Sequence, residues 1–197
     1  VSAGIEIRRI RPEEYAEVGA LVRAAYEQDY ALGGDYLAEI EDVGGRDARS
    51  EVLVAVDAHP AAGDADATGD AERPGAAQRG PAVLGTITIP LPGERLQPDT
   101  APDEMDVRLL GVAHAARGRG IGAAIMEHCL GIARDRGLVA VALHTGEQMR
   151  APQRLYERMG FSRVPERDFE IDIPGRAQPR LILAYRFALE QPSRAVA

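Results

Sequence analysis

The sequence predicts an α/β fold in which helices flank a sheet, and three observations carry that prediction. Short apolar or β-branched runs at residues 5–10, 52–56, 83–89, 107–112 and 139–143 read as strands. Elsewhere the apolar residues recur at spacings of three and four, the period of one helix face. In the second half of the chain the two patterns alternate, the order in which a helix-covered sheet is built.

Each element has its own justification. Residues 5–10 (IEIRRI) form the first strand. Pro12 and Glu13 then open a helix to about Tyr26, with Tyr15, Val18, Val22 and Tyr26 on one stripe; proline suits a first helical position because its missing N–H has no partner there anyway. Residues 35–42 form a short second helix. The β-branched runs at 52–56 and 83–89 pair as a hairpin. The intervening segment, 57–82, is dominated by Ala, Gly, Asp and Pro, buries too little apolar surface to order itself, and is expected to be a mobile surface insert. Leu109, Leu110, Gly111 and Val112, extended back to Val107, form a buried strand. Ile121, Ile125, Cys129 and Ile132 mark a helix to about Arg136, stopped at Gly137. Strand 139–143 runs into His144 and Thr145. Residues 162–165 with an extension, and 181–188, form the last strands.

Composition narrows the function classes. A chain of 197 residues with 45% hydrophobic residues suits one globular domain over 1–197. No apolar run approaches the ~20 residues that span a bilayer, and the first residues show no signal-peptide pattern, so a cytoplasmic location and no membrane partner are expected. The single cysteine, Cys129, excludes an internal disulfide, and with four scattered histidines it offers no metal site. All 23 basic residues are arginine and asparagine is absent, which points to codon bias. A net charge of −8 argues against nucleic-acid binding.

The segment that carries chemistry is 107–122, VRLLGVAHAARGRGIG, where a strand ends in an arginine-glycine loop opening directly into a helix. The first N–H groups of a helix lack internal partners and the aligned peptide dipoles add partial positive charge, so such a turn attracts anions. Gly118, Gly120 and Gly122 remove the β-carbons that would hold a phosphate away, and Arg117 and Arg119 add forked cationic donors. A nucleoside triphosphate loop requires a lysine that this chain lacks. A dinucleotide loop matches Gly118, Gly120 and Ala123 as G-x-G-x-x-A, but without the usual acidic residue ending the next strand. The third reading is R-x-x-G-x-G at Arg117, Gly120 and Gly122, a coenzyme A diphosphate loop.

Residues 110–122 resemble the coenzyme A loop of the GNAT superfamily of acyl-CoA N-acyltransferases. Residues 153–161, QRLYERMGF, are similar to that family's later helix and following strand, where a tyrosine sits near the thioester sulfur. The resemblance implies a mixed, twisted central sheet, with the diphosphate loop between the central strand and the following helix. It implies acetyl-CoA as co-substrate, no metal, a small-molecule or peptide amine as acceptor, and it allows a homodimer.

Residue by residue, the same resemblance places Val112, Ala113, Arg117, Gly118, Arg119, Gly120, Ile121 and Gly122 at the coenzyme. The Val112 N–H polarises the thioester carbonyl beside a bulge in the central strand. Tyr156 protonates the leaving thiolate, a phenol near ~10 being matched to a thiol near ~8.5. Asp106 stands where relatives often carry glutamate and acts as base toward the amine, through a water because aspartate is a methylene shorter; Glu104 is a lesser candidate. Met149 and Pro152 stand where relatives have asparagine and alanine, which removes an amide contact to the coenzyme. Tyr26, Asp29, Tyr30, Asp35 and Tyr36 are candidates for the acceptor wall. His144 has a minor prospect of touching acceptor. Two other readings stay open: a non-catalytic acyl-CoA sensor and a dinucleotide-dependent oxidoreductase.

Overall fold

The computed structural model describes residues 4–27, 34–58, 82–173 and 178–190, and at 27 and 34–37 the backbone alone. Among the described residues there are eight strands: β1 (Ile5–Arg9), β2 (Ser50–Asp57), β3 (Val83–Pro90), β4 (Glu104–Val112), β5 (Ala140–Gly146), β6 (Ser162–Arg163), β7 (Phe169–Ile171) and β8 (Arg180–Ala188). The helices are α1 (Tyr15–Glu27), α2 (Gly34–Glu41), α3 (Val43–Asp47), α4 (Ile121–Asp135) and α5 (Arg150–Arg158). The sheet runs β1-β2-β3-β4-β5-β8-β6, with β7 also paired to β8. Every pairing is antiparallel except β4 with β5, so the sheet is mixed and changes character at β4.

Alternation along the strands divides the core into two layers. In β2, Leu53 and Ala55 join the layer that holds Ile121, Ile125, Met126 and Cys129 of α4, whereas Val52, Val54 and Val56 join the layer beneath Val18 and Val22 of α1. The predicted 52–56/83–89 hairpin is therefore buried on both faces. The helix read from Ile121, Ile125 and Cys129 lies on the first layer, and Gly137 follows it at φ 69°.

The pairing of β3 with β4 slips by one residue between Thr86 and Thr88, so Leu109 and Leu110 together oppose Ile87. That is a β-bulge in β4, and Leu109 adopts φ 56°, the left-handed backbone that a bulge imposes. The parallel ladder to β5 covers only Glu104 through Val107, ending where the bulge begins. Beyond it β4 stays with β3 while β5 continues with β8, opening a wedge between the two halves of the sheet.

Several elements differ from the sequence reading. The first helix starts as a 3-10 turn at Pro12–Glu14, because the Glu14 carboxylate folds back to accept the Arg11 N–H (2.8 Å) and two guanidinium bonds from Arg8 (2.6 and 2.9 Å). Helix α3 was not legible: its Gly44 and Gly45 are poor helix formers, and it is held by Asp42 accepting the Gly45 N–H (2.9 Å). Strand β5 continues past Leu143 through His144, Thr145 and Gly146, all paired to β8. The extension after residues 162–165 is a separate strand, β7, set off by a 3-10 turn at Pro165–Arg167. The segment expected as a mobile insert, 57–82, lies outside the described residues at 59–81. Among the described residues no helix is long and apolar enough to cross a membrane.

Candidate functional site

The arginine-glycine loop closes on the N-terminus of α4. Gly120 caps the helix at φ 79°, and Gly118 shares that φ, a conformation that costs an L-residue about 1–2 kcal/mol. Gly122 answers a different demand. A β-carbon there would stand 3.2 Å from the Leu155 side chain of α5, so its absence lets α4 and α5 close on the floor of a cleft.

That cleft, about 670 Å³, joins the loop, the open end of β4, α5 and α1. Its walls include Leu110, Gly111 and Val112, then Arg117, Gly118, Gly120, Ile121 and Gly122, then Arg150, Arg154 and Arg158. Four guanidinium groups therefore gather on one cleft in a chain of net charge −8. The three from α5 escaped the sequence reading; their spacing of four along the helix, 150, 154 and 158, was the available signal.

Val112 shows what the bulge provides. Ala113 donates its N–H to Leu84 (2.9 Å), so the adjacent Gly85/Val112 pair is the non-hydrogen-bonded kind, and the Val112 N–H is directed away from β3 toward the wedge. An extended, amide-bearing ligand laid there meets a strand edge. Two residues grouped with the coenzyme ligands are used otherwise. Ala113 spends its N–H on Leu84, and the Arg119 guanidinium turns to Asp57 at the end of β2 (2.9 Å).

Tyr156 sits on the inner face of α5 and is buried, its ring 5.8 Å from Phe161 and 5.9 Å from Tyr185 between centroids. The start of that helix is tied to β5 by Gln153, which donates to the carbonyls of Gly146 (2.9 Å) and Glu147 (2.8 Å). Met149, at the expected amide position, accepts the Gly146 N–H on its sulfur (3.2 Å). Pro152 is accommodated in the first turn of α5.

The two carboxylates of β4 have opposite environments. Asp106 is buried and accepts the Leu96 N–H on both oxygens (3.0 and 3.1 Å); burial pushes its pKa up, against the smaller pull of that N–H and of Arg108. Glu104 is also buried, but guanidinium groups of Arg167 and Arg186 each approach to 2.6 Å. Burial alone raises the Glu104 pKa; the two arginines and the Ala101 N–H outweigh it and hold the carboxyl below its usual range. Its oxygens are thus committed to an ion triad joining β4, the 3-10 turn and β8.

Of the acceptor-wall candidates, Tyr26 lines the cleft. Asp35 and Tyr36 lie within α2, where the backbone alone is described, and Asp29 and Tyr30 lie outside the described residues. His128 is exposed on α4, while burial pushes the Cys129 thiol up to about 12, the state of a packed thiol and not of a nucleophile.

Residues 46–161 match the Acetyltransferase (GNAT) family. Over 79 residues, 40% of its length, the chain is 37% identical to a mycothiol acetyltransferase of Thermomonospora curvata, a match spanning 25% of that relative's own length. The fold is that of yncA of Salmonella typhimurium, solved with acetyl-CoA (TM-score 0.59, 16% identity, 98% of this chain and 99% of that one). It is also that of Arabidopsis thaliana NAA60, solved with a bisubstrate analogue (TM-score 0.63, 18% identity, 93% and 97%). A bulged central strand, a glycine loop on the following helix and a match over more than half of the sequence agree, and the chain belongs to the GNAT family of acetyltransferases.

Proposed function

We propose that this chain, read as one N-acetyltransferase domain, transfers an acetyl group from acetyl-CoA to a primary amine by direct attack within a ternary complex. The observation that carries the reading is the bulge at Leu109 and Leu110, which opens β4 from β5 immediately beside the loop of Arg117, Gly118 and Gly120. The diphosphate lies on the N–H groups that start α4, with Arg117 as counter-charge. The three arginines of α5 serve the remaining phosphate charge across the cleft. The open edge of β4 receives the pantetheine arm as a neighbouring strand would, which brings the thioester carbonyl to the Val112 N–H in the wedge.

The acceptor enters as an ammonium and must lose a proton before its nitrogen can attack. Asp106 is the base, through a bridging water, and the raised pKa that burial gives it makes it the better proton acceptor of the two carboxylates. The new C–N bond forms as the C–S bond breaks, a β4 backbone N–H stabilises the oxyanion, and Tyr156 supplies the proton to the departing thiolate. Glu104, engaged with two arginines, is given a structural part.

The test is calorimetric titration with acetyl-CoA and with NADH, repeated on the double variant Arg117→Ala, Gly120→Ala, followed by thiol release with an amine panel. Selective acetyl-CoA binding, weakened at least tenfold in the variant, is expected. No acetyl-CoA binding would defeat both the transferase and the acyl-CoA sensor readings, and NADH binding in its place would promote a dinucleotide enzyme. Turnover separates transferase from sensor: Tyr156→Phe should slow thiol release by about 10²-fold or more and leave acetyl-CoA affinity within about twofold.

A further inference from the structure

Just past the end of the β4/β5 ladder, the sheet face opposite α4 carries a second set of groups that the donor site does not use. His144 on β5 pairs with Ala184 of β8, and Gly146 with Ile182; Ile182 in turn pairs with Phe169 of β7, and Arg180 with Ile171. Directly paired residues share a sheet face and alternate residues return to it, so His144, Phe169 and Ile171 lie on one face. Asp106 lies on that face too, through its pairing with Ala142. This face is opposite Val107, Val141 and Leu143, which pack in the layer beneath α4.

Three observations on this face point to a ligand. His144 is nine-tenths buried (side chain 10% exposed), yet neither ring nitrogen has a hydrogen-bond partner. Its Nε2 stands 3.2 Å from Asp99 Oδ2, off the line of a hydrogen bond. Leaving such nitrogens unsatisfied is costly, and a bound polar group relieves that cost. Second, Phe169 and Ile171, 40% and 36% exposed, are the exposed large hydrophobic residues among the described ones, and the Phe169 ring meets the imidazole edge-on at 5.2 Å. Third, the Asp99 carboxylate stands beside the imidazole, whereas the nearby Glu104 and Asp168 are already paired with arginines.

We propose that His144, Asp99, Phe169 and Ile171 form the acceptor subsite, and that it selects a primary amine carrying an uncharged apolar group next to the nitrogen. The ammonium is drawn to Asp99 and hydrogen-bonds a ring nitrogen of His144, while the apolar group covers Phe169 and Ile171. A polyamine carries a second charge where this face offers apolar surface. The proposal rests on the transferase reading and narrows it to a class of acceptor. A free amine and the N-terminal residue of a peptide share this chemistry.

The test measures kcat/KM by thiol release for 2-phenylethylamine, ethylamine, spermidine and a short peptide beginning with phenylalanine, on the wild-type chain and on Phe169→Ala. Retained thermal midpoint and acetyl-CoA affinity would show that fold and donor site are intact in the variant. At least a tenfold preference for 2-phenylethylamine or the peptide over ethylamine is expected, collapsing toward one in Phe169→Ala. Which of the two is preferred identifies the source. A preference for spermidine, or a preference for 2-phenylethylamine that survives Phe169→Ala, would overturn the subsite while leaving acetyl transfer standing. If no amine on the panel is acetylated, calorimetric binding of 2-phenylethylamine to the coenzyme A-loaded protein decides. Binding weakened by Phe169→Ala and by His144→Ala supports the subsite, and its absence ends it.

Discussion

At the scale of single residues, β4 places two buried carboxylates two positions apart and gives them different states. Asp106, raised by burial, is protonated at a pH where an ordinary aspartate near ~3.9 is already ionised, so a reaction that uses it as base should gain rate with rising pH through that raised pKa. Asp106→Asn keeps an acceptor for the Leu96 N–H and removes the base. It should lower kcat about 10²- to 10⁴-fold and abolish the acid limb of the pH–rate profile, with the KM for acetyl-CoA nearly unchanged. The resemblance picks out Arg117 and Tyr156 within local motifs and Asp106 by its place on the strand; Arg117 lines the cleft, whereas Tyr156 and Asp106 are buried. It could not show that Arg119 is drawn off to Asp57, sixty-two residues away along the chain, or that Gln153 ties α5 to β5. Partners of that kind are set by register and packing, which no local window contains.

At the scale of elements, the loop from β4 into α4 is the part most completely predicted, since glycine content and the change of apolar period both bear on one turn. Gly120→Ala forces an alanine into φ 79° and should cost about 1–2 kcal/mol, read as a lower urea midpoint, together with weaker acetyl-CoA binding by calorimetry. The bulge beside it was expected only through the family resemblance. Leu109 and Leu110 look like ordinary strand residues, and it is the pairing of Thr86 and Thr88 across the ladder that makes one of them surplus. Helix α3 was missed for the opposite reason: Val43–Asp47 has weak helical propensity, and packing of Val43 together with the Asp42 cap overrides it. Strand β7 was hidden because a three-residue strand is too short to show a period.

At the scale of the whole molecule, the two half-sheets are joined by a four-residue parallel ladder and by the Glu104, Arg167 and Arg186 triad beside it. Glu104 has a folded-state pKa below its unfolded value, so its contribution is fully present above the ordinary glutamate pKa and is lost as pH falls through the depressed one. Glu14, depressed by Arg8, acts in the same direction, whereas Asp106, with a raised pKa, opposes it as pH rises. Acid unfolding of Glu104→Gln should therefore begin at higher pH than in the parent. Because both arginines keep solvent contact, the loss near pH 7 should be about 1.5–3 kcal/mol by urea denaturation. The open stretch of β4 past the bulge has a further consequence. A strand edge normally lies at the rim of a sheet, where sequence or cover guards it against stray pairing; here one lies in the interior, between two paired neighbours. Amide hydrogens at 110–112 that face the wedge should consequently exchange with solvent far faster than those of β3 or β5 on either side. A ligand that fills the wedge should slow them to the rate of their neighbours, so that exchange at this one stretch of backbone reports occupancy without any turnover.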